Sequence, residues 1–240
     1  MGQMRLDKLL SSCGICSRTD AKRAIRAGGV TVNGVAARSA EQKLDPERDP
    51  VVFCGKPVVY RKYTYILLNK PEGVVSATED GRERTVLDLL PADARKAGLF
   101  PCGRLDKNTL GLMLITDNGE LGHRLLAPKS HVKKEYRFRA KFPLSPIDVA
   151  RFEAGVTLED GYETKPAQIR LEADGDCGTI TLVEGKYHQI KRMLEALDNK
   201  ITYLERIRFG PLCLDPDMER GEWRYLSEEE VAALEAHQRP

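Results

Sequence analysis

Long apolar segments are missing from this 240-residue chain. No run reaches the roughly 18 residues that a membrane-crossing helix needs. The opening MGQMRLDKLLSSCGIC has neither the extended apolar stretch nor the small-residue cleavage site of a secretory signal, and a cytoplasmic protein is expected. Repeats at periods of about 20 to 50 residues are absent, which excludes solenoids, and there is no low-complexity tract. Without coiled-coil heptads to drive assembly, a monomer is expected. No P-loop, dinucleotide fingerprint, Gly-x-Ser-x-Gly elbow or His-Glu-x-x-His zinc helix occurs. Cysteines are few: Cys13, Cys16, Cys54, Cys102, Cys177 and Cys213 are scattered, as in a protein whose thiols stay reduced. Cys13-Gly-Ile-Cys16 lacks a second pair at zinc-ribbon spacing, so neither metal nor redox chemistry is expected there.

What is present is a composition of 41% hydrophobic and 31% charged residues, enough for one large domain or a small and a medium one. The net charge of +2 is unevenly divided. Twelve basic residues face six acidic ones from Met1 to Lys62, an excess of +6 that leaves −4 for the remainder. A basic front end on a near-neutral body points to a polyanionic partner, although the same excess also describes a solvated surface.

A first helix is expected from Arg5 to about Cys13 and a second from about Arg18 to Ala27, N-capped by Ser17, with Asp20 at the third helical position and Gly28-Gly29 as the stop. On the second, Arg18, Lys22, Arg23 and Arg26 align opposite Ala21, Ala24 and Ile25, giving a basic stripe and a core face. VTVNGVAAR then reads as a hairpin around Asn33-Gly34. The whole pattern RLDKLLSSCGICSRTDAKRAIRAGGVTVNG closely resembles the S-four RNA-binding domain, named after a small-subunit ribosomal protein. That resemblance implies that Arg18, Lys22, Arg23 and Arg26 face RNA phosphates.

Composition shifts around Arg61 to Tyr63, which divides the chain into domains of residues 1–61 and 62–240. In the second, TYILLNKPEGVVSA reads as strand, Pro-Gly turn and strand, and RTVLDLLP as a short helix ended by Pro91. LGLMLITD is a continuous apolar run, hence a strand buried on both faces, and NGELGHRLLAP starts a helix from a turn. KKEYRFRAKF alternates strictly, with Tyr136, Phe138 and Ala140 on one face and Arg137, Arg139 and Lys141 on the other. GTITLVEG and ITYLERIRFGPLCL are strands, and KYHQIKRMLEAL is helical. Hairpins mixed irregularly with helices predict an α+β body on a largely antiparallel sheet.

Read singly, the chemistry-bearing residues leave alternatives open. Asp106, between Gly103-Arg104-Leu105 and Lys107-Asn108-Thr109, is a turn aspartate bonding its own backbone or a reactive carboxylate. Lys191 is a surface lysine paired with Glu195 or a counter-ion, Tyr136 a core tyrosine or a working phenol, and His188 a structural residue, a substrate contact or a base. Four segments in order, NKPEGVVS, GRLDKNTLGLMLITDNGEL, KKEYRF and EGKYHQIKRM, resemble the motifs of pseudouridine synthases that carry an N-terminal S-four domain.

The resemblance implies an isomerase that needs no cofactor or metal, because the reaction moves a bond from nitrogen to carbon without redox change or group transfer. It implies Asp106 as the catalytic aspartate, Tyr136 stacking on the uracil and moving its proton, and Lys191 as the basic partner of Asp106. Arg104 would enter the RNA stack as the target uridine flips out, and Ile190 would take the apolar position against the base; His188 is expected as a further RNA contact. Lys70-Pro71 would support the pocket. The implied partner is ribosomal RNA, free or in an assembling small-subunit particle. HQIK and PKSHVKKEY look like the small-subunit branch, which is the expected one, although RFGPLCL is also at home in the large-subunit branch. A non-catalytic ribosome-assembly factor is the alternative from another class; it would have no need of Asp106, Tyr136 and Lys191 together.

Overall fold

The computed structural model describes residues 3–60 and 62–237. Strand β1 (Met4–Arg5) leads into α1 (Leu6–Ser12), whose Leu6, Leu9 and Leu10 are buried at the spacing of one helix face. Helix α2 (Arg18–Arg26) starts at Ser17, whose hydroxyl accepts the Asp20 amide at 3.1 Å. It stops where the amides of Gly28 and Gly29 return to the carbonyls of Ile25 and Ala24. Ala21 and Ile25 are buried, whereas Arg18, Lys22, Arg23 and Arg26 are exposed, so the expected core face and basic stripe both form. Strands β2 (Val30–Val32) and β3 (Val35–Ala36) make the hairpin, and Asn33 and Gly34 have φ of 54° and 76°, the paired positive angles of a tight turn. Strand β4 (Lys43–Leu44) pairs with β1, while β5 (Val51–Phe53) and β6 (Lys56–Pro57) complete a sheet ordered β3-β2-β5-β6.

The chain forms two compact units, Met1–Tyr63 with Pro91–Ala97, and Thr64–Leu90 with Gly98–Pro240. The expected junction between residues 61 and 62 involves Arg61, which lies outside the described residues. Leu6, Leu9, Leu10, Ile25, Val30 and Leu44 belong to the core of the first unit. No described helix is long and apolar enough to cross a membrane.

The second unit is built on a nine-stranded sheet. Its strands are β7 (Tyr65–Lys70), β8 (Phe100–Pro101), β9 (Leu110–Thr116), β10 (Lys134–Ala140), β11 (Gln168–Leu171), β12 (Cys177–Leu182), β13 (Ile201–Phe209), β14 (Leu212–Cys213) and β15 (Trp223–Tyr225). The order is β11-β12-β10-β13-β9-β7-β15, with β14 beside β13 and β8 beside β9. All pairings are antiparallel except the short contact of β9 with β13, where Gly111 registers with Arg206. Helices α3 (Gly119–Leu126), α4 (Pro146–Ala154), α5 (Gln189–Glu195) and α6 (Glu228–Ala236) complete the unit. The alternation read in β10 is observed: Tyr136, Phe138 and Ala140 are buried and Arg137 and Arg139 exposed. In β9 every residue from Gly111 to Thr116 is buried, as a central strand covered on both faces requires.

Three local expectations are corrected. GVVSA makes no second strand; Val75 has one isolated bridge to Thr85, and Ser76 turns its hydroxyl to the backbone of Leu105 instead of extending a ladder. RTVLDLLP contains a single 3-10 turn, Val86–Leu89, closed by reciprocal bonds between Thr85 and Asp88. The helix in KYHQIKRMLEAL begins only at Gln189, because His188 takes a left-handed conformation with φ of 49°. Tyr187 and His188 therefore precede the helix that carries Lys191.

Candidate active site

The segment between β8 and β9 is held at several points. The Cys102 amide donates to Leu114 O at 2.7 Å, the Leu105 carbonyl accepts from Ser76 Oγ at 2.8 Å, and the Leu105 amide donates to the same oxygen at 2.9 Å. The Thr109 amide closes a turn on Asp106 O at 3.0 Å. Beneath it, the fully buried Lys70 ammonium donates to the carbonyls of Pro71, Lys107 and Thr109 at 3.1, 3.2 and 2.9 Å. All three ammonium protons have an acceptor. Burial pushes the Lys70 pKa down to about 8, against the opposing charges of Asp106 and Glu72. The backbone on both sides of Asp106 is thus fixed, and its carboxylate is the free end.

That carboxylate does not bond its own backbone. Lys191 Nζ donates to Asp106 Oδ2 at 2.6 Å and to Asn108 Oδ1 at 2.7 Å, so Lys191 turns to the Asp106 turn instead of to Glu195. His188 Nε2 stands 3.4 Å from Asp106 Oδ1, and its ring stacks on Tyr187 with centroids 3.8 Å apart. The group opens onto a cleft of about 730 Å³ whose wall includes Tyr136 and Ile190 and whose lining includes the exposed Arg104. The Tyr136 hydroxyl has no hydrogen bond among the described residues, and Arg104 no ion pair. Asp106, Arg104, Tyr136, His188, Ile190 and Lys191 are therefore brought together, whereas Arg18, Lys22, Arg23 and Arg26 belong to the other unit.

Reading the sequence missed two cations in this cleft. Arg206 is 2% exposed, donates from Nε to Leu112 O at 2.8 Å, and lies 5.0 Å from the centre of the Phe209 ring, with no carboxylate partner among the described residues. Lys134 donates to Val132 O at 3.0 Å, and its pKa is pushed down to about 8 by burial first and by Arg206 among other charges. The available signal was an arginine in phase with buried Leu204 on a central strand, a position that normally takes an apolar side chain. Against these cations the cleft sets only Asp106 and Glu184, and Glu184 is occupied by Tyr162, Gln189 and the Lys165 amide. The surplus suits a polyanionic ligand.

All six cysteines are free thiols. Burial pushes Cys13 and Cys16 up, which disfavours the thiolate that metal binding or thiol exchange would use.

Residues 64–196 match the family model of the RNA pseudouridylate synthases. The chain belongs to this family. Residues 4–49 match the S4 domain. An uncharacterised RNA pseudouridine synthase of Bacillus subtilis is 44% identical over 96% of this chain and 98% of its own length. The ribosomal small subunit pseudouridine synthase A of Vibrio cholerae is 40% identical over 96% of this chain and 99% of its own. A crystal structure of a pseudouridylate synthase superposes with a TM-score of 0.67 at 33% identity, covering 96% of this chain and 99% of that one. The protein is accordingly a pseudouridine synthase, an isomerase with an S4 domain ahead of its catalytic body.

Proposed function

We propose that this pseudouridine synthase converts one uridine of small-subunit ribosomal RNA, with Asp106 as the nucleophile. The single observation that carries the catalytic assignment is the Asp106 carboxylate, held from behind by its pinned turn, paired with Lys191 at 2.6 Å and open to a cationic cleft. Isomerisation breaks the bond from uracil N1 to ribose C1′ and forms one from C5 to C1′; C5 loses a proton and N1 gains one. Nothing is left over, so the reaction needs an attacking group, a counter-charge and a proton carrier. Lys191 supplies the counter-charge beside the attacking carboxylate. The unpartnered hydroxyl of Tyr136 is free to relay the proton, its oxygen accepting the one from C5 as it releases its own toward N1, and its ring, with Ile190, gives the uracil a flat apolar wall. Arg104 is exposed and unpaired at the cleft, where it can occupy the space that a flipped base leaves in its stack. His188 completes the contacts on the Asp106 side.

RNA binding is assigned to residues 1–61 and catalysis to residues 62–240, although residues 91–97 of the second stretch group with the first unit. Arg18, Lys22, Arg23 and Arg26 form the phosphate-facing stripe of the first. The small-subunit reading, with the substrate met in the cytoplasm as free RNA or an assembling particle, rests on relatives of that name that align along nearly the whole chain.

The test is chemical mapping of pseudouridine in unmodified small- and large-subunit ribosomal RNA incubated with wild type or Asp106→Asn. One new small-subunit site, made only by wild type, is the expected result. A large-subunit site would overturn the choice of substrate, and turnover by Asp106→Asn would remove Asp106 from the chemistry.

A further inference from the structure

Tyr187 is 69% exposed, more than any other Phe, Tyr or Trp among the described residues. It is nevertheless not loose. One face of its ring is covered by His188 at 3.8 Å and 18° from parallel, and His188 is held by a non-glycine residue's uncommon left-handed backbone at φ of 49°. His188 in turn reaches Asp106 at 3.4 Å. The two rings make a short column with the reactive carboxylate at its inner end and an open aromatic face at its outer end. Their spacing is close to the 3.4 Å rise of stacked bases. The second face of Tyr187 has no ring, ion-pair or hydrogen-bond partner among the described residues, and the exposed Lys186 and Arg104 line the same cleft. An aromatic plate among cations is the composition that holds a single-stranded nucleotide, by stacking its base and neutralising its phosphate.

We propose that the open face of Tyr187 stacks a nucleobase flanking the target uridine. This rests on the proposed activity and deepens it: the enzyme selects its site partly by capturing a neighbour in an unpaired stretch of RNA. Removing the target from its stack leaves the adjoining base without a partner on one side, and Tyr187 supplies the replacement. Stacking tolerates every base but favours the larger face of a purine.

The test uses the full-length enzyme and the RNA transcript in which wild type makes its pseudouridine, plus copies with one abasic ribose immediately 5′ or 3′ of the target. Tyr187→Ala is expected to raise KM about tenfold on the intact transcript and to change kcat much less, whereas Tyr187→Phe and Tyr187→Trp keep the wild-type KM. On one of the two abasic transcripts wild type should lose the same factor, and Tyr187→Ala should lose nothing more. Equal KM for wild type and Tyr187→Ala would overturn the inference while leaving the activity intact. A tenfold penalty that persists on both abasic transcripts would overturn it too, by showing that Tyr187 only supports His188. If the mapping experiment finds no such transcript, the functional reading itself fails, which is distinct from either result above.

Discussion

Two lysines serve Asp106 in different ways. Lys191 meets its carboxylate at 2.6 Å, whereas Lys70 meets only carbonyl oxygens and holds the turn from below. Lys70 is fully buried, and its pKa in the folded protein lies at about 8 instead of 10.5, chiefly through desolvation. Between those two values the unfolded chain binds the proton and the folded chain does not, so this residue's contribution to stability rises with pH across that window. Below pH 8 both states are protonated and the penalty of the buried charge is constant. A shift of this size corresponds to on the order of 3 kcal/mol. Urea unfolding of wild type and Lys70→Met between pH 7 and 10.5 should therefore show the difference in their stabilities moving in favour of wild type as pH rises above about 8. A difference independent of pH would mean that Lys70 titrates normally. The methionine variant should also lose activity at every pH, because the carbonyls of Lys107 and Thr109 that frame Asp106 lose their donor.

Strand β9 depends on a glycine at a close crossing. Gly111 has φ of +97°, and a Cβ there would overlap the backbone oxygen of Arg206 on β13. Gly34 in the hairpin of the first unit also has a positive φ, of +76°, but nothing within 4 Å of its Cβ position. Gly111→Ala thus adds a steric clash to the conformational strain and should destabilise by about 3 kcal/mol or more, against about 1 kcal/mol for Gly34→Ala, measured by urea unfolding. Equal effects would show that β9 can retreat from β13. At this scale the sequence was most legible where one period ran undisturbed, as in β10 with its alternation and β9 with its unbroken apolar run. It was least legible where the backbone was diverted: Ser76 bonding Leu105, Thr85 and Asp88 closing a 3-10 turn, and the left-handed backbone of His188 delaying α5. Helices α4 and α6 went unread although Ser145-Asp148 and Ser227-Glu230 form capping boxes, a signal visible in the chain. The candidate site was legible only through resemblance. Asp106 and Lys191 stand 85 positions apart, and no spacing rule joins them. Arg206 escaped because a buried strand is read as apolar.

Across the whole molecule, charge and core are distributed differently. The stretch from Met1 to Lys62 carries an excess of +6, and the remainder carries −4. Each unit has buried leucines and valines of its own, so neither owes its core to the basic stripe. The exposed Arg18, Lys22, Arg23 and Arg26 contribute little to folding; Arg23 alone among them makes a salt bridge, 3.5 Å from Asp20 on the surface. Their proposed work is to displace counterions from RNA phosphates, and that has a signature separable from chemistry. Replacing all four with alanine should leave the unfolding midpoint nearly unchanged. It should flatten the dependence of log affinity on log salt by about 3, taking roughly 0.7 for each phosphate that the four side chains neutralise on single-stranded RNA. The cleft keeps Lys134, Lys191 and Arg206, so turnover at saturating RNA should fall far less than affinity at low RNA. Filter binding from about 50 to 300 mM salt, paired with single-turnover rates, reads both quantities. An unchanged salt slope would place the phosphate contacts on the catalytic body instead, and a collapse of the single-turnover rate would mean that the stripe positions the target uridine as well as retaining the RNA.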